Sequence, residues 1–366
     1  MKLVVGLLSK FDWLLAAAAM MLIAFGLSAI YSVALSTQGG DLGFMVKQGI
    51  ALAVGLGLAF GLAFSNYRLF RNWTVPLYLF SIGLLLAVKL FGSTIRGTTG
   101  WFTLFGFSFQ PVEIVKVVVV LVLAKYFSER ARRQFGWREI LGSGIIALIP
   151  AGLVELQPDL GSALVIIGVW VCLIFFAGLK WKQAAVLFFL ALITASFAWF
   201  VAFDDYQHER VMTFLDPSRD PLGRGYNVTQ AIIAVGSGGL FGKGLGFGSQ
   251  SQLKFLPESQ TDFIVAVIAE ELGFVGLLLL LLAFGLLFYR LFSLIRRAHD
   301  DFTTYLLLGI MAVFVIQVTV NVGMNLGLLP VTGIGLPLVS YGGSSLLMSL
   351  ILIGFAESVA VRTSST

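Results

Sequence analysis

Runs of about twenty apolar residues recur along the whole chain, and a run of that length can cross a lipid bilayer as an α-helix. Hydrophobic residues make up 58% of the 366 residues and charged residues only 12%, whereas about a quarter of a soluble domain is charged. The sequence lacks the alternating pattern of a membrane β-barrel. It therefore predicts an all-α polytopic membrane protein, organised as one domain over residues 1–366.

We predict ten membrane spans, which places both termini on the same side of the membrane. The run at 140–155 is the weakest, because it is short and contains Pro150 and Glu155. The ten runs occupy residues 13–35, 45–64, 74–92, 110–127, 140–155, 160–178, 184–203, 263–290, 303–327 and 336–360.

The distribution of lysine and arginine predicts the orientation. One set of connections is rich in these residues, for example around Arg130 and from Arg290 to Arg297, whereas the other set has little beyond Arg96. Because cytoplasmic loops carry the excess of positive charge, both termini are expected in the bacterial cytoplasm and the long loop 204–262 outside. The net charge of +5 is then a loop bias, and no nucleic-acid partner is expected.

Metal and redox chemistry of the zinc or iron kind is not expected. The chain has one cysteine, Cys172, so an internal disulfide cannot form, and its only histidines are His208 and His299. Clusters of these residue types are what zinc and iron sites need. The sequence assigns no cofactor.

Several ionisable residues stand at the outer ends of predicted spans, where apolar surroundings make charge costly. Glu113 and Lys116 are three residues apart on one helix face, which suits either an internal ion pair or the polar wall of a cavity. Asp159 follows Pro158 in a short turn, where an aspartate is often a helix cap.

Asp262 starts the eighth span, and the segment Ser259 to Asp262 matches a helix-capping pattern. Asp262 is thus either a cap or a functional carboxylate. Glu270 and Glu271 lie roughly 12 Å deeper along the helix and on other faces. We interpret them as paired structural charges, one of them bonded to a cation such as Lys116.

Two outer loops contain further polar candidate residues. The loop 204–262 contains Arg210, Arg224 and Lys243 beside a glycine-rich run, and such runs can present backbone N–H groups to anions. Its apolar stretch 231–242 suits a short interfacial helix. The uncharged loop 321–345, rich in glycine and proline and containing Ser340 and Gly342, is expected to be irregular backbone that lines a cavity.

These residues converge on the outer side of the membrane. A transporter would place its site near the midplane with access from both faces. One-sided convergence instead favours an enzyme whose substrate has an anionic headgroup outside and an apolar tail in the bilayer.

Long motifs in the chain resemble the SEDS family of bacterial cell-wall glycosyltransferases, RodA and FtsW. They are "TFLDPSRDPLGRGYNVTQAIIAVGSGGLFGKGLG" (213–246), "FLPESQTDFIVAVIAEELG" (255–273) and "LGLLPVTGIGLPLVSYGGSS" (326–345), with "FQPVEIVKV" and "QPDLGSAL" earlier in the chain. The segment "GSQSQLKFLPE" is closer to RodA, the elongation member. Two positions depart from the family pattern: Gln260 replaces a histidine, and Val112 replaces a serine.

The resemblance implies polymerisation of lipid II into peptidoglycan strands, with inversion and with undecaprenyl pyrophosphate as the leaving group. It implies that Asp262 is the catalytic residue, which we expect to act as general base. A lipid II flippase, a division-type polymerase and a non-catalytic scaffold are the alternatives. Arg210, Lys243, Arg224, Glu113, Lys116, Asp159, Ser340 and Gly342 are the candidate substrate-binding residues.

The resemblance also implies a class B penicillin-binding protein as partner, which would supply the peptide crosslinks. The pyrophosphate is held either by loop cations, with Arg210 first, or by a divalent ion such as Mg²⁺ or Mn²⁺. The sequence assigns no metal ligands.

Overall fold

The computed structural model describes residues 10–35, 43–95, 97–104, 107–131, 135–202, 205–220 and 223–363. In these ranges the backbone forms thirteen α-helices and a small three-stranded sheet. Arg96, one of the residues used to orient the chain, and both chain ends lie outside the described residues.

The elements are numbered here in chain order. The helices are α1 (Trp13–Leu35), α2 (Gly43–Phe64), α3 (Arg68–Phe91), α4 (Pro111–Ser128), α5 (Trp137–Glu155), α6 (Leu160–Phe176), α7 (Trp181–Phe197), α8 (Asp205–Leu215), α9 (Arg224–Ser237), α10 (Ser249–Gln252), α11 (Ile264–Arg296), α12 (Asp301–Asn325) and α13 (Gly343–Thr363), and the strands are β1 (Ser93–Ile95), β2 (Thr98–Leu104) and β3 (Phe107–Phe109).

Every predicted span coincides with a helix. Eight helices of the described chain are long and apolar enough to cross a membrane. The other two predicted spans are α6, which has 17 residues, and α4, whose 18 residues include three charges. The tenth span begins at Gly343 rather than at residue 336, because the glycines and prolines before it keep the backbone irregular.

The centre of the bundle is built from α4, α12 and α13. Most residues of α13 are buried, whereas the apolar stretch of α7 has no buried residue. Glycines let α13 approach α2 closely: a Cβ on Gly354 would lie 2.8 Å from the Ala59 Cα. The side chains of α4 are buried almost continuously, Glu113 and Lys116 among them.

The long loop before α11 is mostly helical. Its predicted apolar segment 231–242 forms the second half of α9 and the turn after it. Ala231 and Ala234 of α9 are fully buried, while Ile232 and Ile233 are exposed. Helix α9 therefore has one face against the bundle and one face turned outward.

Helix α11 is interrupted at Gly273, whose backbone (φ 66°, ψ −165°) is not helical. The glycine-rich turn after α9 supplies hydrogen bonds at this break: Phe274 N donates to Gly239 O and Val275 N to Leu240 O. In return, Lys243 N donates to Glu270 O and Gly244 N to Glu271 O. The turn thus replaces the intrahelical bonds that α11 loses.

Candidate active site

A cavity of about 320 Å³ opens at the end of the bundle where α11 begins. Seven of the nine predicted site residues line it: Asp262, Arg210, Glu113, Lys116, Asp159, Ser340 and Gly342. They come from α4, α8, the start of α6, the turn before α11 and the irregular loop before α13. The fold therefore brings together residues that are far apart in the sequence.

Asp262 lies in the turn directly before α11. The helix starts at Ile264 and its N-cap is Phe263, so the capping pattern from Ser259 to Asp262 ends before the helix begins. Helix α12 supplies an acceptor for the first turn of α11, because Ala266 N donates to Asn325 Oδ1 at 3.0 Å.

Two asparagines of α12 hold the main chain of Asp262. Asn321 Nδ2 and Asn325 Nδ2 donate to the Asp262 carbonyl at 3.1 and 2.9 Å. Asn321 Nδ2 also donates to Ile334 O at 2.8 Å, on the loop across the cavity. On that loop, a Cβ on Gly333 would lie 3.9 Å from Asp262 Oδ2, so the carboxylate faces the glycine.

The segment before Asp262 is held from the other side by the irregular loop. Ser340 Oγ donates to Thr261 O at 2.6 Å and accepts from Leu336 N at 2.8 Å. Tyr341 N donates to Gln260 O at 2.8 Å. Ser340 thus supports the backbone beside Asp262 while it lines the cavity, as the sequence predicted for this loop.

Charged residues at the starts of α4 and α6 also line the cavity. Lys116 Nζ and Glu113 Oε1 pair at 2.8 Å, and both side chains are nearly buried. The internal pair and the cavity wall, two alternatives at sequence level, are therefore both present. Asp159 likewise has two roles: Oδ1 caps α6 by accepting from Ser162 N, and Oδ2 accepts from Gln110 Nε2 at 3.0 Å.

Arg210 lines the cavity from α8. The helix is tied to the end of α5, since Gln207 Nε2 donates to Glu155 Oε1 at 2.8 Å. Arg210 interacts electrostatically with the same glutamate and lines the cavity. One guanidinium thus reaches the space that Asp262 faces.

The predicted cation Lys243 is not part of this arrangement. Lys243 pairs with Glu270, Nζ to Oε1 at 2.8 Å, and does not line the cavity. The prediction that Lys243 binds substrate is therefore not supported by its position. Arg224 begins α9, and its side chain lies outside the described residues.

Glu270 and Glu271 are buried and do not line the cavity, and their partners differ from the expected Lys116. Lys116 is committed to Glu113, so it pairs with neither glutamate. Glu270 also accepts from Gln250 N and Ser251 N. Glu271 accepts from Ser32 Oγ at 2.5 Å and Ser251 Oγ at 3.2 Å, which joins α1 and α10 through α11.

Within the described chain, no group of three or more histidine, cysteine, aspartate or glutamate residues is arranged to hold a metal ion. The polar lining of the cavity consists of separate carboxylates, two cations, amides and hydroxyls. Such a set can accept a proton, neutralise an anion and orient hydroxyl groups.

Residues 12–365 match the family described as cell cycle proteins, which groups FtsW, RodA and SpoVE. The chain belongs to this family. Peptidoglycan glycosyltransferase MrdB of Escherichia coli (strain K12) is 40% identical to it over 331 residues, covering 90% of this chain and 88% of MrdB. Stage V sporulation protein E of Bacillus subtilis (strain 168) is 36% identical over 359 residues, covering 95% and 96% of the two chains.

Solved structures agree with this membership. Rod shape determining protein RodA of Thermus thermophilus has a TM-score of 0.71 and 34% identity, with 96% of each chain covered. A chain from a peptidoglycan synthase complex that coordinates polymerization and crosslinking has a TM-score of 0.82 and 35% identity, with 97% of this chain and 99% of that chain covered. With its apolar helices, the chain is thus a multi-pass bacterial membrane protein.

Sequence reasoning missed several uncharged residues of this site. Gln110, Gln317 and Asn227 line the cavity, and Asn321 and Asn325 support it from behind. The spacing of four between the two asparagines was a usable signal, because it places two costly amides on one face of a span. Gln110 carries no such signal, since it directly precedes its helix.

Proposed function

We propose that the chain is a peptidoglycan glycosyltransferase that polymerises lipid II at the outer face of the cytoplasmic membrane. The observation that carries this proposal is that Asp262 and Arg210 line the same cavity. Family membership supports it, because relatives such as MrdB are named peptidoglycan glycosyltransferases.

Asp262 is the general base in this proposal. The attacking sugar hydroxyl of the acceptor gives its proton to the carboxylate while its oxygen forms a bond to the anomeric carbon of the donor. The bond from that carbon to the pyrophosphate oxygen breaks. The configuration inverts because the hydroxyl attacks from the face opposite the leaving group. General-base assistance of this kind contributes about 10²–10⁴-fold. One carboxylate is sufficient, because a pyrophosphate leaves without being protonated once its charge is neutralised.

Arg210 neutralises the leaving undecaprenyl pyrophosphate. It lines the same cavity as Asp262, whereas Lys243 does not. A planar guanidinium also matches phosphate geometry through two parallel hydrogen bonds. Mg²⁺ or Mn²⁺ remains the alternative for this role, and Glu113, Asp159 and Gly342 shape the space around the sugars.

The physiological role that we propose is cell elongation. The relative MrdB is 40% identical, whereas the probable peptidoglycan glycosyltransferase FtsW of Trichlorobacter lovleyi is 34% identical. Because a structural neighbour belongs to a complex that coordinates polymerization and crosslinking, we propose a class B penicillin-binding protein as the partner.

The test is polymer synthesis by the purified chain supplied with lipid II, with and without EDTA. The proposal expects glycan strands on a gel, and retained synthesis in EDTA would assign the pyrophosphate to Arg210 rather than to a metal. A parallel assay in vesicles follows movement of labelled lipid II across the membrane. Lipid movement without any polymer would contradict the polymerase and favour the flippase.

A further inference from the structure

A second cavity, of about 300 Å³, lies at the opposite end of the bundle, where α1 begins and α11 ends. Its walls include Arg290 and Arg297, and at a rise of about 1.5 Å per residue Arg290 is roughly 40 Å from the start of α11. The cavity is therefore remote from Asp262 and takes no part in the reaction proposed above. The excess of positive charge predicts that this end faces the cytoplasm.

The charges around this cavity leave a net positive surface. Three cations line it, Lys10, Arg290 and Arg297, together with the carboxylate of Asp12. Behind Asp12, the buried Glu357 accepts the Asp12 N–H at 3.0 Å. Even with both carboxylates charged, the cations are in excess.

Asp12 is committed to internal bonds. Its Oδ2 accepts from Arg290 Nη2 and Nε at 2.6 and 3.0 Å, and its Oδ1 accepts from Leu15 N at 3.1 Å. This pair fixes the Arg290 guanidinium at the cavity wall, and its Nη1 group donates to no described residue. Arg290 is thus preorganised, with donor capacity left over for a ligand.

Arg297 contributes an exposed guanidinium to this cavity. Its side chain makes no ion pair and no hydrogen bond with any described residue. It lies two turns beyond Arg290 on the same helix and lines the same cavity. An anion between the two guanidinium groups would meet donors from both, the geometry that phosphate oxygens favour.

The cavity also borders an apolar, outward-facing surface. Trp13 and Leu14 line it and are 58% and 53% exposed. Phe11 packs on Trp13 with ring centroids 5.0 Å apart. Tryptophan is enriched at the level of lipid headgroups, so the ligand that fits this position has a phosphate on one side and acyl chains on the other.

We propose that this cavity binds the phosphate headgroup of an anionic phospholipid of the cytoplasmic leaflet. Basic pockets between spans on this side of the membrane bind such headgroups. The bound lipid joins the first turn of α1 to the last turn of α11, and its chains lie along Leu14. The proposal is independent of the reaction at the other end of the bundle.

The test measures lipid retention by the purified full-length chain in nanodiscs and by native mass spectrometry. Phosphatidylglycerol is the probe, and phosphatidylcholine is the neutral comparison. Arg297→Gln should weaken phosphatidylglycerol binding about fivefold, because one cation near the surface contributes about 1 kcal/mol. Arg296→Gln is the matched control, since Arg296 is an exposed neighbour that does not line the cavity.

Equal loss in Arg296→Gln and Arg297→Gln, or equal retention of both lipids, would overturn the proposal. A third arm adds inorganic phosphate to protein in phosphatidylcholine nanodiscs and follows the unfolding temperature. Stabilisation by phosphate alone, as large as that by phosphatidylglycerol, would contradict the lipid and assign the cavity to a soluble phosphate compound. No stabilisation by phosphate supports the lipid headgroup.

Discussion

The carbonyl of Asp262 accepts two amide hydrogen bonds from buried asparagines, Asn321 and Asn325. These bonds act on the main chain and so set where the carboxylate lies without using its oxygens. Since a misplacement of about 1 Å can cost 10²-fold in rate, the asparagines are positioning residues for the proposed base.

Asn325→Ala should lower kcat more than it changes KM. The substitution removes one of the two amide donors to Asp262 O and one of the two acceptors of Ala266 N, and a hydrogen bond of this kind contributes about 0.5–1.5 kcal/mol. The measurement is the rate of lipid II polymerisation over a range of substrate concentrations. Asn66→Ala, which removes an exposed bond to Arg68 N, is the control. A wild-type kcat in Asn325→Ala would contradict the positioning role of Asn325.

Substitutions in the buried Glu113–Lys116 pair can separate its contribution to stability from its contribution to activity. Lys116→Met alone leaves a buried carboxylate unpaired and should destabilise the chain by about 3–5 kcal/mol. Adding Glu113→Gln should recover most of that loss, as replacement of a whole buried pair is often nearly neutral. Unfolding in detergent tests this, and a double variant as unstable as the single one would contradict it. A recovered but inactive double variant would show that the charges serve the cavity.

At the scale of elements, α11 is the helix on which the site depends, and it is supported by others. Its first turn is capped by Asn325 of α12. Its break at Gly273 is satisfied by the turn after α9. The loop that was predicted to bind substrate through Lys243 instead braces this helix through the Lys243–Glu270 pair.

Gly273→Ala should destabilise the chain. The backbone at φ 66° and ψ −165° suits glycine alone, and a Cβ would lie 2.3 Å from Gly242 N, so we expect a loss of about 1–3 kcal/mol. Gly285→Ala is the matched control in the same helix, because nothing lies within 4 Å of its added Cβ. It should stabilise by about 0.5–1 kcal/mol. Equal thermal shifts in the two variants would argue against a required break.

Asp300 caps α12 at the other end of the bundle. Burial raises the pKa of Asp300, but hydrogen bonds from Thr303 and from the Arg68 guanidinium outweigh it and hold the pKa below its usual value. The carboxylate therefore stabilises the fold at neutral pH, and this contribution is lost as the pH falls through the lowered pKa, below about 4.

Asp300→Ala should cost about 0.5–2 kcal/mol at pH 7, and the difference from wild type should shrink toward pH 3. Asp300→Asn keeps the cap but not the charge, so it should lower the free energy of unfolding less than Asp300→Ala does. Unfolding temperatures between pH 3 and pH 7 measure both. A difference between Asp300→Ala and wild type that stays constant down to pH 3 would contradict the assigned role.

At the scale of the whole molecule, the sequence predicted what depends on hydrophobicity and on long motifs. The ten predicted spans all coincide with helices, because the length of an apolar run indicates a helix directly. Seven predicted site residues line one cavity, because polar groups are costly in apolar surroundings and gather where they can contact one another or water. What it could not predict depends on tertiary partners. The spacing of three already offered a Glu113–Lys116 pair as one alternative, whereas only the fold shows that Glu270 pairs with Lys243.

The same limit applies at the start of α11. A capping pattern is a local signal, whereas Ala266 N donates both to the nearby Phe263 O and to Asn325 Oδ1, which is 59 residues away in the chain. The irregular loop before α13 was predicted correctly as a cavity wall, since its prolines and glycines exclude a helix at that place. The partner that Ser340 finds in Thr261 O is again a tertiary contact.

The central claim is that Asp262 is the catalytic residue for glycan polymerisation in the cavity where α11 begins. The most direct measurement is the initial rate of lipid II polymerisation by purified Asp262→Asn beside Asp216→Asn, a control that alters an exposed aspartate paired with Arg219. Both variants should unfold at the wild-type temperature. The account predicts a loss of at least about 10²-fold in Asp262→Asn and wild-type rates in Asp216→Asn. Glycan strands made by Asp262→Asn at the wild-type rate would contradict it.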